Sequence, residues 1–170
     1  ADYLAVNKVD VDVGRAVYTP WLTPGGGFHS DLTMMRLDDD HMRVVTGAFD
    51  GGRDAFWIRK YMPRDGSVTV TDVTRQVCTI GLWGPNAPAV LNPLTDASLD
   101  QQGSPYGWVV DAEVAGVSCQ LFRISYVGDT GWEIYTSWED GPTLWDALWE
   151  TGRDHGIVPV GIGVYGLTGR

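Results

Sequence analysis

GGGFHSDLTMMRLDDDHMRVVTG, residues 25–47, decides the fold class. Two β-forming runs, SDLTMMRL over 30–37 and HMRVVTG over 41–47, flank three consecutive aspartates. Asp38, Asp39 and Asp40 would repel one another if buried, so they predict a solvated turn inside an antiparallel hairpin. Side chains two apart on a strand share a face. Asp31, Thr33 and Met35 therefore look one way, and Leu32, Met34 and Arg36 the other. Just upstream, TPGGG over 23–27 has turn composition, and VGRAVYTPWL over 13–22 is a further β run that contains Pro20.

Outward from this hairpin the texture repeats. Ala1 to Val13 reads as extended. GGRDAFWIRKYM, residues 51–62, predicts a helix with Ala55, Ile58 and Met62 on one face, or Phe56 and Lys60, stopped by Pro63. SVTVTDVT over 67–74 alternates as a strand does, and QVCTIGLWG over 76–84 predicts a buried strand. Pro85 suits the start of a short helix through Ala87, Val90 and Leu91. YGWVVDAEVAGVSCQLFRISYVG, residues 106–128, contains two or three strands with Gly116 as a reversal, and WEIYTS over 132–137 is another strand. GPTLWDALWETGRDHG, residues 141–156, predicts a helix with Leu144, Leu148 and either Ala147 or Thr151 in an apolar stripe joined by Trp145 and Trp149, and with Gly152 and Gly156 as candidate ends. The fold class is therefore α+β, largely antiparallel sheets with a few flanking helices.

Bulk properties narrow the partners. The 170 residues carry a formal net charge of -10, and residues 86–170 hold only Arg123, Arg153 and Arg170 as bases. Nucleic acid is excluded as a partner, because phosphate binding needs a basic footprint. No apolar run approaches the length of a membrane span and no signal segment leads the chain, so no membrane partner is expected and the cytoplasm is the expected compartment. Cys78 and Cys119 lack C-x-x-C spacing and read as buried free thiols. His29, His41 and His155 are too scattered for a metal motif. Eight tryptophans and 22 glycines suit a ligand cleft, or equally a β protein with tight loops. The chain starts and stops without polar terminal segments, which reads as truncation at both ends.

Two carboxylates stand out. Asp31 follows the glycine triplet and opens a strand, where rigid backbone can hold it beside room for a planar ligand, or where it simply caps a turn in solvent. Glu133 lies in SYVGDTGWEIY, residues 125–135, among Tyr126, Trp132 and Tyr135. Alternation puts Trp132 and Ile134 on one side and Glu133 on the other. It is either on a wet face or an acceptor for a heterocycle's N–H groups, since one ionised carboxylate accepts two such donors with charge-assisted strength. The glycine triplet matches no nucleotide-binding pattern.

GGGFHSDLTMMRL, HMRVVTG, GLWGPNAPAVL, YVGDTGWEIY and the closing GLTGR occur in the order found in the glycine-cleavage T-protein family of folate-dependent aminomethyltransferases. In form they resemble most the folate domains of sarcosine and dimethylglycine dehydrogenases and related demethylases. The resemblance implies a partial T-protein-like fold, with residues 1–80 as the middle β-rich folate-binding lobe and 81–170 as the returning half of the first domain. It implies tetrahydrofolate as cofactor, a small methylated or aminomethyl compound as carbon donor, and transfer of a methyl or aminomethyl unit. It implies Asp31 as the catalytic carboxylate and Glu133 as the pterin anchor. Tyr18, Val45 and Tyr126 fall at ligand-contact positions, while Arg43 and Gly47 replace a tyrosine and an asparagine common in the family. The family's A-R-D-x-L-R-L-E motif is replaced by VYGLTGR, with Tyr165 or Gly166 at the first arginine and Arg170 at the second. A non-catalytic folate-binding or regulatory module on the same fold, or an interaction domain, remains the alternative, and the activity of the chain by itself stays open. A flavin oxidoreductase partner domain and self-association through uncovered faces are the further partner expectations.

Overall fold

The computed structural model describes residues 3–47, 49–161 and 163. The chain divides into two compact units, Ala1–Val73 and Thr74–Arg170.

The first unit is built on three antiparallel strands in the order β1-β2-β3, with β1 at Ala16–Leu22, β2 at Phe28–Arg36 and β3 at Met42–Thr46. Asp38, Asp39 and Asp40 form the exposed β2–β3 connection, closed by the Leu37 N–H donating to the His41 carbonyl at 2.9 Å. The register sorts the side chains into two faces. Trp21 opposite Ser30, Thr19 opposite Leu32 opposite Thr46, and Val17 opposite Met34 opposite Val44 make up the inner face. Val9, Trp21, Leu32 and Met34 are its buried core, and Trp57 and Ile58 of helix α1 (Gly51–Tyr61) pack against it.

Three expectations for this unit need correction. The inward face of α1 is made by Trp57 and Ile58 with the buried Asp54, whereas Phe56 is 65% exposed and Met62 lies beyond the helix end. The sheet face accepts the wide indole, and the Asp54 carboxylate meets hydroxyls there, which outweighs the apolar spacing. Residues 67–74 form no strand, and Val68 and Val73 are exposed. Alternating Val and Thr supplies β propensity, but a strand also needs a neighbour with which to share a ladder. Within the described part of Ala1–Val13, strand pairing is limited to one bridge between Ala5 and Trp21.

The second unit is a four-stranded antiparallel sheet in the order β4-β7-β6-β5, with β4 at Val77–Trp83, β5 at Val109–Val114, β6 at Val117–Phe122 and β7 at Gly131–Ser137. Helix α2 (Ala87–Leu91) and helix α3 (Gly141–Gly152) cover one face. The core between them joins Ile80, Leu82, Val90, Leu91, Leu121, Trp132, Ile134, Leu144 and Leu148. The β5–β6 hairpin turns on Ala115 and Gly116, with φ of 52° and 78°. Both values are positive, as a two-residue hairpin turn of the primed type requires.

The last helix ends at the first of its two expected glycine stops. It stops at Gly152, a 3-10 turn covers Arg153–His155, and Gly156 takes the left-handed conformation at φ 74°. Leu144 and Leu148 point into the core, while Trp145 is largely exposed. Cys119 is buried, but Cys78 is only half-buried, and both are free thiols whose pKa values are raised by burial. No helix among the described residues is long and apolar enough to cross a membrane.

Candidate functional site

In the first unit, the sheet face opposite the α1 core gathers most of the residues singled out from the sequence. Tyr18, Thr33 and Val45 form one row across β1, β2 and β3. Arg43 stands in the neighbouring row, across from Met35, and Asp31 stands on the other side of the Tyr18 row, across from Pro20. Tyr18 and Asp31 are thus diagonal neighbours on one face, close enough for long side chains to meet. The Tyr18 hydroxyl donates to Asp31 Oδ2 at 2.5 Å. Asp31 itself is exposed, so its carboxylate is fixed by a phenol while remaining open to a ligand. Gly47 lies one residue past β3 and does not join this face; its carbonyl accepts the Asp50 N–H at 2.9 Å, at the entry to α1.

In the second unit, Glu133 sits on β7 between Gly81 of β4 and Phe122 of β6. Its neighbours Trp132 and Ile134 face the core, as alternation requires. Gly81 leaves space that another residue would occupy, since a Cβ there would lie 2.5 Å from the Trp83 ring. That ring is held in turn by its Nε1 donating to the Ile124 carbonyl at 2.9 Å. A cavity of about 1010 Å³ opens here, with Glu133, Tyr126, Trp83, Trp138, Trp145 and Trp149 among its lining residues. Glu133 is the ionisable acid of that lining. Burial raises its pKa above the ordinary glutamate value, and the Tyr135 hydroxyl, which donates to Oε2, pulls it back in part. A carboxyl group in this state has acceptor capacity left over and is short of partners.

The structure thus brings Tyr18, Asp31, Arg43 and Val45 onto one surface, and Tyr126 and Glu133 onto the wall of one cavity. Tyr165, Gly166 and Arg170 lie outside the described residues. Sequence reasoning missed the part played by Gly81 and Trp83, although a glycine inside a strand is a readable sign of close approach. It also missed Asp54, for which no local pattern exists. Among the described residues, no group of three or more His, Cys, Asp or Glu is arranged to hold a metal.

Comparison with known proteins supplies the family. The chain is 37% identical over 161 residues to an aminomethyltransferase of Halalkalibacterium halodurans, covering 94% of this chain and 43% of that protein. It is 33% identical over 150 residues to an aminomethyltransferase of Anoxybacillus flavithermus, covering 88% of this chain and 40% of that protein. The chain therefore spans less than half the length of these relatives. A heterotetrameric sarcosine oxidase from Corynebacterium sp. U-96, solved in complex with pyrrole 2-carboxylate, superposes with a TM-score of 0.64 at 15% identity, over 88% of this chain and 69% of that one. At that identity the likeness speaks for the fold, and the α+β antiparallel architecture is a partial T-protein-like fold. The model of the GCVT N-terminal domain matches residues 1–167, and the chain belongs to that family.

Proposed function

We propose that the chain is the tetrahydrofolate-handling part of a one-carbon transferase, with Glu133 as anchor of the pterin and Asp31 as the carboxylate at the reacting centre. The observation that carries this reading is the state of Glu133. It is a poorly solvated carboxyl group on the wall of an aromatic-lined cavity, held by one phenol. The amino-pyrimidinone edge of a pterin offers adjacent N–H donors, and an ionised carboxylate accepts two of them with charge-assisted strength. The donor set and the cavity therefore fit the cofactor that the family uses. When bound, a reduced folate supplies the nucleophilic nitrogen that takes up the carbon.

The chain's own residues do the placing. Glu133 fixes one end of the ligand, and the indoles of Trp83, Trp138, Trp145 and Trp149 offer apolar surface along the cavity. Asp31 presents an anionic oxygen, oriented by Tyr18, that stabilises positive charge on a nitrogen as the carbon arrives. Most of the rate gain comes from alignment of two bound reactants. Family membership supports a methyl or aminomethyl compound as the donor, and we extend the proposal to a flavin oxidoreductase partner that would generate it.

The test uses the native full-length protein. Asp31→Asn is expected to lower the transfer rate at least about 100-fold with little loss of folate affinity, because the lost interaction acts mainly in the transition state. Glu133→Gln is expected to weaken binding of a stable reduced folate about tenfold by calorimetry, as a charge-assisted acceptor is replaced by an amide. Unchanged kinetics for the first and unchanged affinity for the second would remove both roles. Retained folate binding with no transfer by the unaltered protein would point to a binding module instead.

A further inference from the structure

Asp54 is the one buried residue of α1, 1% exposed, and the proposed chemistry makes no use of it. Taking a carboxylate out of water costs several kcal/mol unless it is well paired. Here the pairing is specific. Oδ2 accepts from the Ser30 hydroxyl at 2.7 Å and from the Thr46 hydroxyl, and Oδ1 accepts from Arg53 Nε at 3.3 Å. His29 stacks on Trp57 with ring centroids 4.1 Å apart, its Nε2 lying 3.5 Å from Oδ1 without a hydrogen bond.

The two hydroxyls sit at telling positions. Ser30 directly precedes Asp31 on β2, and Thr46 directly follows Val45 as the last residue of β3. The β2–β3 ladder runs from Arg36 opposite Met42 to Leu32 opposite Thr46 and ends there. Asp31 and Ser30 thus lie one and two residues beyond the last β3 pair. On the other side the β1 ladder continues, with Asp31 opposite Pro20 and Ser30 opposite Trp21, while the Pro20 carbonyl turns outward to accept from Val6 at 3.1 Å. The stretch of β2 that carries Asp31 is therefore held by the sheet on the β1 side alone and has no β3 partner. Asp54 spans the gap, with one carboxylate oxygen tying Ser30 of β2 and Thr46 of β3 to the same point on α1.

From this we infer that Asp54 is a positioning residue for Asp31, fixing through Ser30 and Thr46 the end of β2 on which that carboxylate stands. The inference rests on the reading of Asp31 as the carboxylate at the reacting centre. Strand alternation makes the mechanism plain. Ser30 points to the α1 side and Asp31 to the opposite face, so the pull on Ser30 sets the pleat that aims Asp31. An apolar residue at position 54 could fill the space but could not hold two hydroxyls at once.

The test is made in the native full-length protein, with Asp54→Asn alone and combined with Asp31→Asn. Amide exchange in the ligand-free protein should speed up at least about tenfold at Ser30 and Asp31 while Thr33, Met34 and Met35 keep their protection, because only the end of β2 without a β3 partner loses its tie. Transfer should lose about tenfold in kcat with KM for the reduced folate within about twofold, the signature of misplacement rather than lost binding. The double variant should be no slower than Asp31→Asn, because residues that act through one another are not additive. Faster exchange spread evenly over the unit, or rate losses that multiply in the double variant, overturns the inference by making Asp54 a general stabiliser. Should Asp54→Asn fail to fold, Ser30→Ala removes the β2 half of the tie alone. It must show the same local exchange and the same loss in kcat, and a Ser30→Ala protein equal to its parent overturns the inference. Asp31→Asn with undiminished transfer overturns the functional reading and this inference together, whereas an impaired Asp31→Asn with an independent Asp54→Asn effect overturns this inference alone.

Discussion

In its proposed role, Glu133 sets ligand binding and folding against each other. Its pKa is raised from the ordinary value of 4.5 by burial, with Tyr135 opposing part of that rise. Between 4.5 and the raised value, the folded chain keeps a proton that the unfolded chain has released. Stability from this group is therefore full below 4.5 and falls as pH rises through that window. Affinity for N–H donors runs the other way, since the group accepts two of them only when ionised. Glu133→Gln removes both dependences. The variant is expected to melt at a higher temperature than the parent at pH 7.5 and at the same temperature below pH 4.5, while binding reduced folate less well at the higher pH. Melting scans of the pair across this range provide the check, and a temperature difference that stays constant with pH would rule out the buried-acid account. This gain in stability at a cost in binding is what a functional carboxyl group predicts. At the same scale, Asp31 and Glu133 were readable because each is attached to a local pattern, a glycine triplet and a glycine-bracketed turn. Asp54 was not, because its role comes from hydroxyls 24 and 8 residues away in sequence.

Elements were legible wherever apolar period and turn chemistry agreed. The hairpin at Ala115 and Gly116 shows this, as do β7 and the Leu144 and Leu148 stripe of α3. Residues 67–74 were misread because alternation is a property of one segment, whereas a strand is a property of two. The end of α3 at Gly152, rather than at Gly156, has a local cause. A Cβ on Gly152 would lie 2.7 Å from Ile157, so the chain folds back against the helix end there. Two glycines test how tightly the second sheet is built. At Gly116 the demand is conformational: φ is 78° and nothing blocks an added Cβ, so Gly116→Ala is expected to cost about 1–2 kcal/mol. At Gly131 the demand is spatial. An added Cβ would meet the Leu82 carbonyl oxygen at 2.2 Å and Trp83 Cα at 2.7 Å. These are backbone atoms of the paired strand and cannot swing aside. Gly131→Ala is expected to cost more than Gly116→Ala, upwards of about 3 kcal/mol, because β4 and β7 must separate locally. Urea unfolding of both variants decides the order, and equal or reversed costs would mean that the β4–β7 pair yields easily.

At the scale of the molecule, the stretch between the last helix of the first unit and the first strand of the second is where the chain is least supported. Residues 63–76 contain neither helix nor strand, and all but Val70 are exposed. Some of their ties are local, as with Asp65, which accepts from the Ser67 N–H at 3.0 Å and hydroxyl at 2.6 Å. Longer ties include Arg59 to the Val70 carbonyl at 3.4 Å and, at the end of the stretch, the Trp138 N–H to the Gln76 carbonyl at 3.0 Å. Such segments are the preferred sites of proteolytic nicking, because the backbone must open over several residues to enter a protease. Two trypsin sites fall inside it, Arg64 and Arg75, both exposed. Several competing sites are better defended. Arg36 and Arg59 lie in β2 and α1, Arg123 gives its guanidinium to the Ser104 carbonyl at 2.8 Å, and Arg153 sits in a turn closed by the Gly156 and Ile157 amides. Limited trypsin digestion is therefore expected to cut first at Arg64 and Arg75, and the piece beginning at Gln76 should accumulate because its four strands and two helices stay together. Mass spectrometry of the earliest products reads the outcome directly. A first cut at Arg36, Arg123 or Arg153 would show that the weak point lies within a sheet or helix-bearing part of a unit rather than in the irregular stretch 63–76.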